Sequence, residues 1–199
     1  MAEPPVPDEA VLHVARALES TRVPYAFMGG LALNAWGIPR ATFDIDFVVA
    51  TADEAFGPFL HNLRASDVEP DEPHLRGYRD QLAGMEKVTA RLLAGDHWYR
   101  LDIFRSSTPF LESVIGRRAR TRVRSTDVFV VSAADLVLFK LLAGRRKDWV
   151  DIDNVIAVQG VPEPDYLGKW AKQLGIEDRL TKVIGPPGPG RGQPPRPTG

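Results

Sequence analysis

Cysteine is absent from the 199 residues, which excludes disulfides and thiolate metal centres and agrees with a reducing compartment. Histidine is scarce, and His13, His61, His74 and His97 show no metal-ligand spacing, so none is assigned chemistry. Long apolar runs are missing as well. No stretch approaches a membrane span, and the start from Met1 to Pro7 lacks the basic and apolar regions of a secretory signal. Together these absences predict a soluble, cytoplasmic protein without membrane partners. Net charge is nearly absent too: 25 Lys and Arg stand against 26 Asp and Glu, for a formal charge of -1. A global attraction to polyanions is thereby excluded, and local charge must decide. From Arg117 to Lys147 nine basic residues face only Asp127 and Asp135, a surplus of seven positive charges. That segment is either a docking surface for a polyanion or a solvated face balancing acids elsewhere.

Hydrophobic periodicity places alternating elements along the chain. Asp8 is positioned to cap a helix through Ser20, with Val11, Val14, Ala15 and Leu18 as its apolar stripe. Val23 to Met28 reads as a buried strand, Leu31 to Trp36 as a short helix closed by Gly37, and Phe43 to Val49 as a second strand. Thr51 and Glu54 match a capping box for a helix to Ala65, with Gly57-Pro58 as a possible break. The polar stretch from Ser66 to Gly84 reads as a loop. Lys87 to Leu93 and Trp98 to Phe104, flanking Gly95-Asp96, predict an antiparallel hairpin. A helix follows from Pro109 to Arg118, then short strands at Arg120 to Arg124 and Val128 to Val131. Ser132 is placed to cap a helix through Leu142, and further helices are expected over Trp149 to Val158, Glu163 to Leu174 and Ile176 to Val183. The Pro/Gly-rich stretch from 185 to 199 is expected to be disordered. The pattern predicts an α+β fold: a small mixed β-sheet core over residues 1–131, flanked by helices, and a helical C-terminal part over 132–184 packed on it.

Within this plan Asp44-Ile45-Asp46 stands out. Period-two geometry sends Ile45, Phe47 and Val49 into a core and both carboxylates to the opposite face. Two such acids repel each other, and without a nearby cation one of them is driven to hold its proton. Hydrated Mg²⁺ matches this donor set, since it favours one or two carboxylates plus substrate phosphates. Upstream, Met28-Gly29-Gly30 turns a strand sharply into a helix. The missing side chains let a phosphate approach the backbone amides at that helix's positive end. A Gly-Gly pair is otherwise a plain turn, and its place just before the paired acids is what gives it weight.

Met28, Gly29, Gly30, Asp44, Ile45, Asp46 and Phe47 resemble the nucleotidyltransferase superfamily motif: hydrophobic-Gly-Gly/Ser, a spacer, then Asp-hydrophobic-Asp/Glu-hydrophobic. The resemblance implies a third carboxylate on a neighbouring strand. Asp102, within Arg100-Leu101-Asp102-Ile103-Phe104, fits that place, the alternative being an edge-strand acid paired with Arg100 or Arg105. Ala35 to Asp46, and Ala134-Asp135-Leu136 with Lys140 to Arg145 and Lys147-Asp148, look more narrowly like the AbiEii/AbiGii toxin-type members. What this implies is an enzyme that transfers a nucleoside monophosphate from an NTP to an acceptor hydroxyl. Asp44, Asp46 and Asp102 would be its catalytic and metal-binding residues, for two Mg²⁺ ions. A tRNA acceptor and a cognate antitoxin are further implications of the toxin-type likeness. Gly29, Gly30, Arg40, Thr42 and Lys140 are the candidate nucleotide-binding residues. Lys140 either reaches the triphosphate or snorkels at its helix edge. Arg40 either contacts a phosphate, clamps Asp46 or forms a structural salt bridge. Asp148 and Asp151 are candidates to orient Lys140, to cap the next helix or to act as a base. Alternative readings are an aminoglycoside-type transferase, with Glu69, Asp71 and Glu72 as a cation-binding acceptor pocket, a protein-modifying transferase, or a non-catalytic interaction module.

Overall fold

The computed structural model describes residues 4–82, 84–105 and 107–185. The chain runs α1 (Asp8–Thr21), β1 (Tyr25–Phe27), α2 (Gly29–Ala35), β2 (Asp44–Val49), α3 (Asp53–Arg64), β3 (Val68–Pro70), α4 (Glu72–Leu75), β4 (Asp80–Leu82), β5 (Met85–Ala94) and β6 (His97–Arg105). It continues through α5 (Pro109–Gly116), β7 (Ala119–Val123), β8 (Thr126–Val130) and the helices α6 (Ala133–Ala143), α7 (Arg146–Gln159), α8 (Pro164–Gln173) and α9 (Glu177–Ile184). The expected α+β architecture and its helical C-terminal part are both present. Most of the Pro/Gly-rich tail, residues 186–199, lies outside the described residues.

The strands form one mixed sheet in the order β3-β5-β6-β2-β1-β8-β7, with β4 added to β5. Two pairings, β2 with β6 and β1 with β8, are parallel, and the others are antiparallel. The parallel register sets Asp46 beside Asp102, and because side chains alternate along strands, both acids leave the sheet on one face. The other face is sealed by Ile45, Phe47, Val88, Leu92, Leu101 and Ile103, all fully buried. Helices α1 and α3 pack together and touch the β5 and β3 side of the sheet, while α2, α6 and the helices behind α6 gather near β2 and β8.

Local expectations fail in three places. Asp8 does not cap α1 but is its first residue, after Pro7 as an N-cap without a side-chain bond. Residues 66–84 are not a loop: β3 pairs with β5 through Glu69 and Arg91, and β4 pairs with β5 through Gln81 and Glu86. These three-residue strands exist through distant partners, which local periodicity cannot report. The capping box at Thr51 does not form either. Ala52 is the N-cap of α3 without a side-chain cap, the Thr51 hydroxyl turns to the Ala52 carbonyl at 3.4 Å, and the helix runs through Pro58. Helix α6 starts as its sequence predicts, with the Ser132 hydroxyl accepting from the Asp135 amide at 3.1 Å. Its far end stops at Gly144, at φ 63°, and the Arg179 guanidinium of α9 donates to the exposed carbonyls of Leu141 and Leu142 at 2.6 and 3.1 Å.

Candidate active site

The glycine turn, the acid-bearing strands and the inner side of α6 enclose a cavity of about 280 Å³. Its floor is Met28, Gly29 and Gly30. Asp44, Asp46 and Asp102 form one wall, and Lys140, Arg145, Lys147 and Asp148 form the facing one. Met85, Phe104, Leu136 and Phe139 supply an apolar margin.

The glycines are fixed by close approach. Gly29 has φ +58°, and a Cβ there would collide with the Asp46 carboxylate; a Cβ on Gly30 would come within 2.7 Å of Thr42. Only glycine lets the start of α2 sit against both the acid strand and the segment leading into it. The Thr42 hydroxyl donates to the Asp44 carbonyl at 2.9 Å and to its carboxylate at 3.3 Å, which orients Asp44.

Charge is unevenly matched across the cavity. Burial, then the charges of Asp44 and Asp102, pushes the Asp46 carboxyl up to about 7, with Arg145 and Lys140 pulling weakly the other way. Asp102 is better provided for. It accepts from the Arg100 guanidinium at 3.1 Å and from the Thr89 hydroxyl at 3.4 Å, and the Lys87 ammonium lies 3.7 Å away. Asp102 lines the cavity with the other two acids and also pairs with Arg100, but β6 lies between β5 and β2, so it is not the edge-strand acid of the alternative reading.

On the opposite wall the acids are fully matched. Lys140, buried, donates to Asp151 at 2.6 Å and to Asp148 at 3.3 Å. Arg40 reaches Asp151 at 2.6 Å, so it forms the structural salt bridge and not a clamp on Asp46. Asp148 accepts from the Arg145 backbone amide at 3.1 Å, closing the first turn of α7, and from the Arg145 guanidinium at 2.8 Å. Burial works to raise the Asp148 pKa, and Arg145 and Lys140 outweigh it, leaving the carboxyl below its ordinary 3.8. Arg145 and Lys147 as cavity-wall residues, and Phe139 and Met85 as its apolar margin, were missed by sequence reasoning. The available signal for the two cations was the short turn after Gly144, which folds α7 back against α6.

The donor set suits a hard, hydrated cation. It consists of carboxylate oxygens only, and burial with the neighbouring Asp44 and Asp102 charges disfavours an ionised Asp46, a penalty that a bound cation would relieve. Among the described residues no group of three or more His, Cys, Asp and Glu side chains forms an assembled metal cage. No helix among the described residues is long and apolar enough to cross a membrane.

No family model matches the chain, and no curated protein matches it in sequence. Solved structures do share its architecture. The antibiotic-resistance factor ANT(2'')-Ia aligns with a TM-score of 0.57 at 14% identity, covering 88% of this chain and 97% of that one. The lincosamide antibiotic adenylyltransferase LnuA, in its lincomycin-bound structure, aligns with a TM-score of 0.55 at 14% identity over 78% of this chain and 99% of that one. An antigenic nucleotidyltransferase-like protein from Paracoccidioides brasiliensis gives a TM-score of 0.51 at 19% identity over 89% and 91%. The chain thus has a nucleotidyltransferase-like fold.

Proposed function

We propose that this protein is a Mg²⁺-dependent nucleotidyltransferase that moves a nucleoside monophosphate from an NTP to an acceptor hydroxyl, releasing pyrophosphate. The observation that carries the reading is the Asp44, Asp46 and Asp102 wall facing a glycine-floored cavity, with Asp46 pushed up to about 7 by burial and then by its two acid neighbours. Gly29 and Gly30 leave room for phosphate oxygens at the α2 amides. Asp44 and Asp46 are the residues that would hold the cation, which supplies Lewis-acid stabilisation of phosphoryl charge. Asp102 would take the proton of the attacking hydroxyl. Lys140, Arg145 and Lys147 give the leaving pyrophosphate a positive wall. The AbiEii/AbiGii-type likeness in Ala35–Asp46 and around Lys140 adds a toxin-antitoxin setting, with a tRNA end as acceptor and an antitoxin as partner.

An aminoglycoside acceptor is less well served. A polycation needs free acids around the acceptor hydroxyl, but Glu69 pairs with Arg91 at 3.2 Å and Glu72 with Arg64 at 3.4 Å. The test is incubation of the purified chain with Mg²⁺, each α-labelled NTP and separate pools of RNA, protein and aminoglycosides. The expected result is label transfer and pyrophosphate release in one pool, abolished in Asp46→Asn. Equal release from parent and Asp46→Asn would overturn the assignment.

A further inference from the structure

The seven-charge surplus between Arg117 and Lys147 is mostly consumed within the fold. Arg117 pairs with Glu163 at 2.5 Å, Arg120 and Arg122 share Asp127, and Arg124 contacts Asp8 and Glu9. Lys140 and Arg145 are held by Asp148 and Asp151. A second surface with exposed cations is the face of β5 and β6, where Arg91 and Arg100 are each more than half exposed.

Asp102 and Phe104 line the cavity, and the strand alternation puts Trp98 and Arg100 on the same side of β6 as these two. Val88, Ala90, Leu92, Tyr99, Leu101 and Ile103 point into the core, so the alternate residues Lys87, Thr89 and Arg91 of β5 and Trp98, Arg100 and Asp102 of β6 share the other side. The register sets Arg91 opposite Arg100 and Thr89 opposite Asp102. Like charges directly across a strand pair cost stability, yet both arginines are more than half exposed. Trp98 is 43% exposed, with the Arg91 guanidinium 4.6 Å from its ring, and Leu93 beside it is 50% exposed. Glu69 of β3 pairs with Arg91, Asp80 of β4 sits opposite Lys87, and Asp102 pairs with Arg100 and Lys87. Once Asp102 is engaged with a reacting hydroxyl, Arg100 and Lys87 lose part of their counter-charge.

Resting on the transferase reading, we infer that this face is a track for the single-stranded end of a polynucleotide, which delivers its terminal hydroxyl to Asp102. Lys87, Arg91 and Arg100 meet its phosphates, and Trp98 stacks on a base. Four residue steps lead from Trp98 to Asp102, about 13 Å along β6, so the stacked base lies a short way inside the reacting end. Alternating cations and an exposed aromatic are the features that bind single strands without sequence readout.

Fluorescence anisotropy of a short labelled single-stranded RNA, measured with the full chain, tests the track. The parent binds with an affinity that falls as salt rises. Trp98→Ala weakens binding by about tenfold, Arg91→Gln weakens it and flattens the salt slope, and an Arg120→Gln, Arg122→Gln double variant binds like the parent. The proposal is overturned if Trp98→Ala and Arg91→Gln bind like the parent, if blunt duplex RNA binds as well as the single strand, or if polyglutamate competes equally well. Pyrophosphate release and Mg-NTP binding, followed separately, isolate the two readings. NTP turnover without any RNA affinity removes the track and leaves the transferase, whereas Trp98-dependent RNA binding without NTP binding supports the track and removes the transferase.

Discussion

Asp44, Asp46 and Asp102 on the sheet and Asp148 on α7 line one cavity, and Asp151 shares Lys140 with Asp148, yet the fold treats the sheet acids and the α7 acids in opposite ways. The α7 pair is buried with cations already in hydrogen-bonding contact: Lys140 touches both, Arg40 holds Asp151 and Arg145 holds Asp148. On the sheet, Asp46 is buried beside two further acids and keeps a pKa near 7. A charge matched within the chain stabilises the chain, whereas one left unmatched costs stability and is available to a ligand. The α7 acids are therefore structural, holding Lys140 in place, and the sheet acids are the candidates for chemistry.

The sharpest way to break this contrast is Lys140→Met, which strands two buried carboxylates. Its cost should be about 3–5 kcal/mol in denaturant titration, and a loss of activity without a loss of stability would move Lys140 to the catalytic side. Next comes Asp46→Asn, expected to lower nucleotidyl transfer at least about 100-fold while raising the melting temperature by about 2 °C or more at pH above 7. A lower melting temperature would place Asp46 among the structural acids.

The pH response separates the two groups by sign. Asp46 holds its proton in the folded protein up to about 7 but gives it up near 3.8 when unfolded, so its contribution to stability falls as pH rises between those values. Asp148 is depressed below 3.8 when folded, so its contribution is present above that value and is lost as pH falls through the folded pKa. Metal-free protein should therefore lose stability from pH 4 to 7 with a slope that Asp46→Asn flattens, and below pH 4 it should lose stability with a slope that Asp148→Asn flattens. The smallest effect is expected from Arg40→Gln, about 1 kcal/mol, because Lys140 keeps Asp151 paired and Arg40 is 36% exposed. An effect as large as that of Lys140→Met would show that Arg40 carries the network.

The acid wall was legible because each part left a local mark: alternation around Asp44 and Asp46, a glycine pair before them, and a lone acid in an apolar strand at Asp102. The register that sets Asp46 beside Asp102 is a long-range pairing and left no such mark. β3 was invisible for the same reason. The basic segment shows the opposite failure: its charge was plain in the sequence, but partners such as Asp8, Glu9 and Glu163 lie far away along the chain. Arg40 precedes the acid strand and suggested contact with it, yet its side chain crosses to α7.

Arg179 ties the end of α6, and with it the cationic wall, to the last described helix. All three sheet aspartates leave the ribosome well before that latch is made. A nascent chain paused ahead of α9 would thus carry all three sheet aspartates but an unsecured phosphate wall, and competence would arrive only once α9 has been made. Protease sensitivity of α6 in a chain truncated after Gly175, compared with the full chain, reads out this ordering directly.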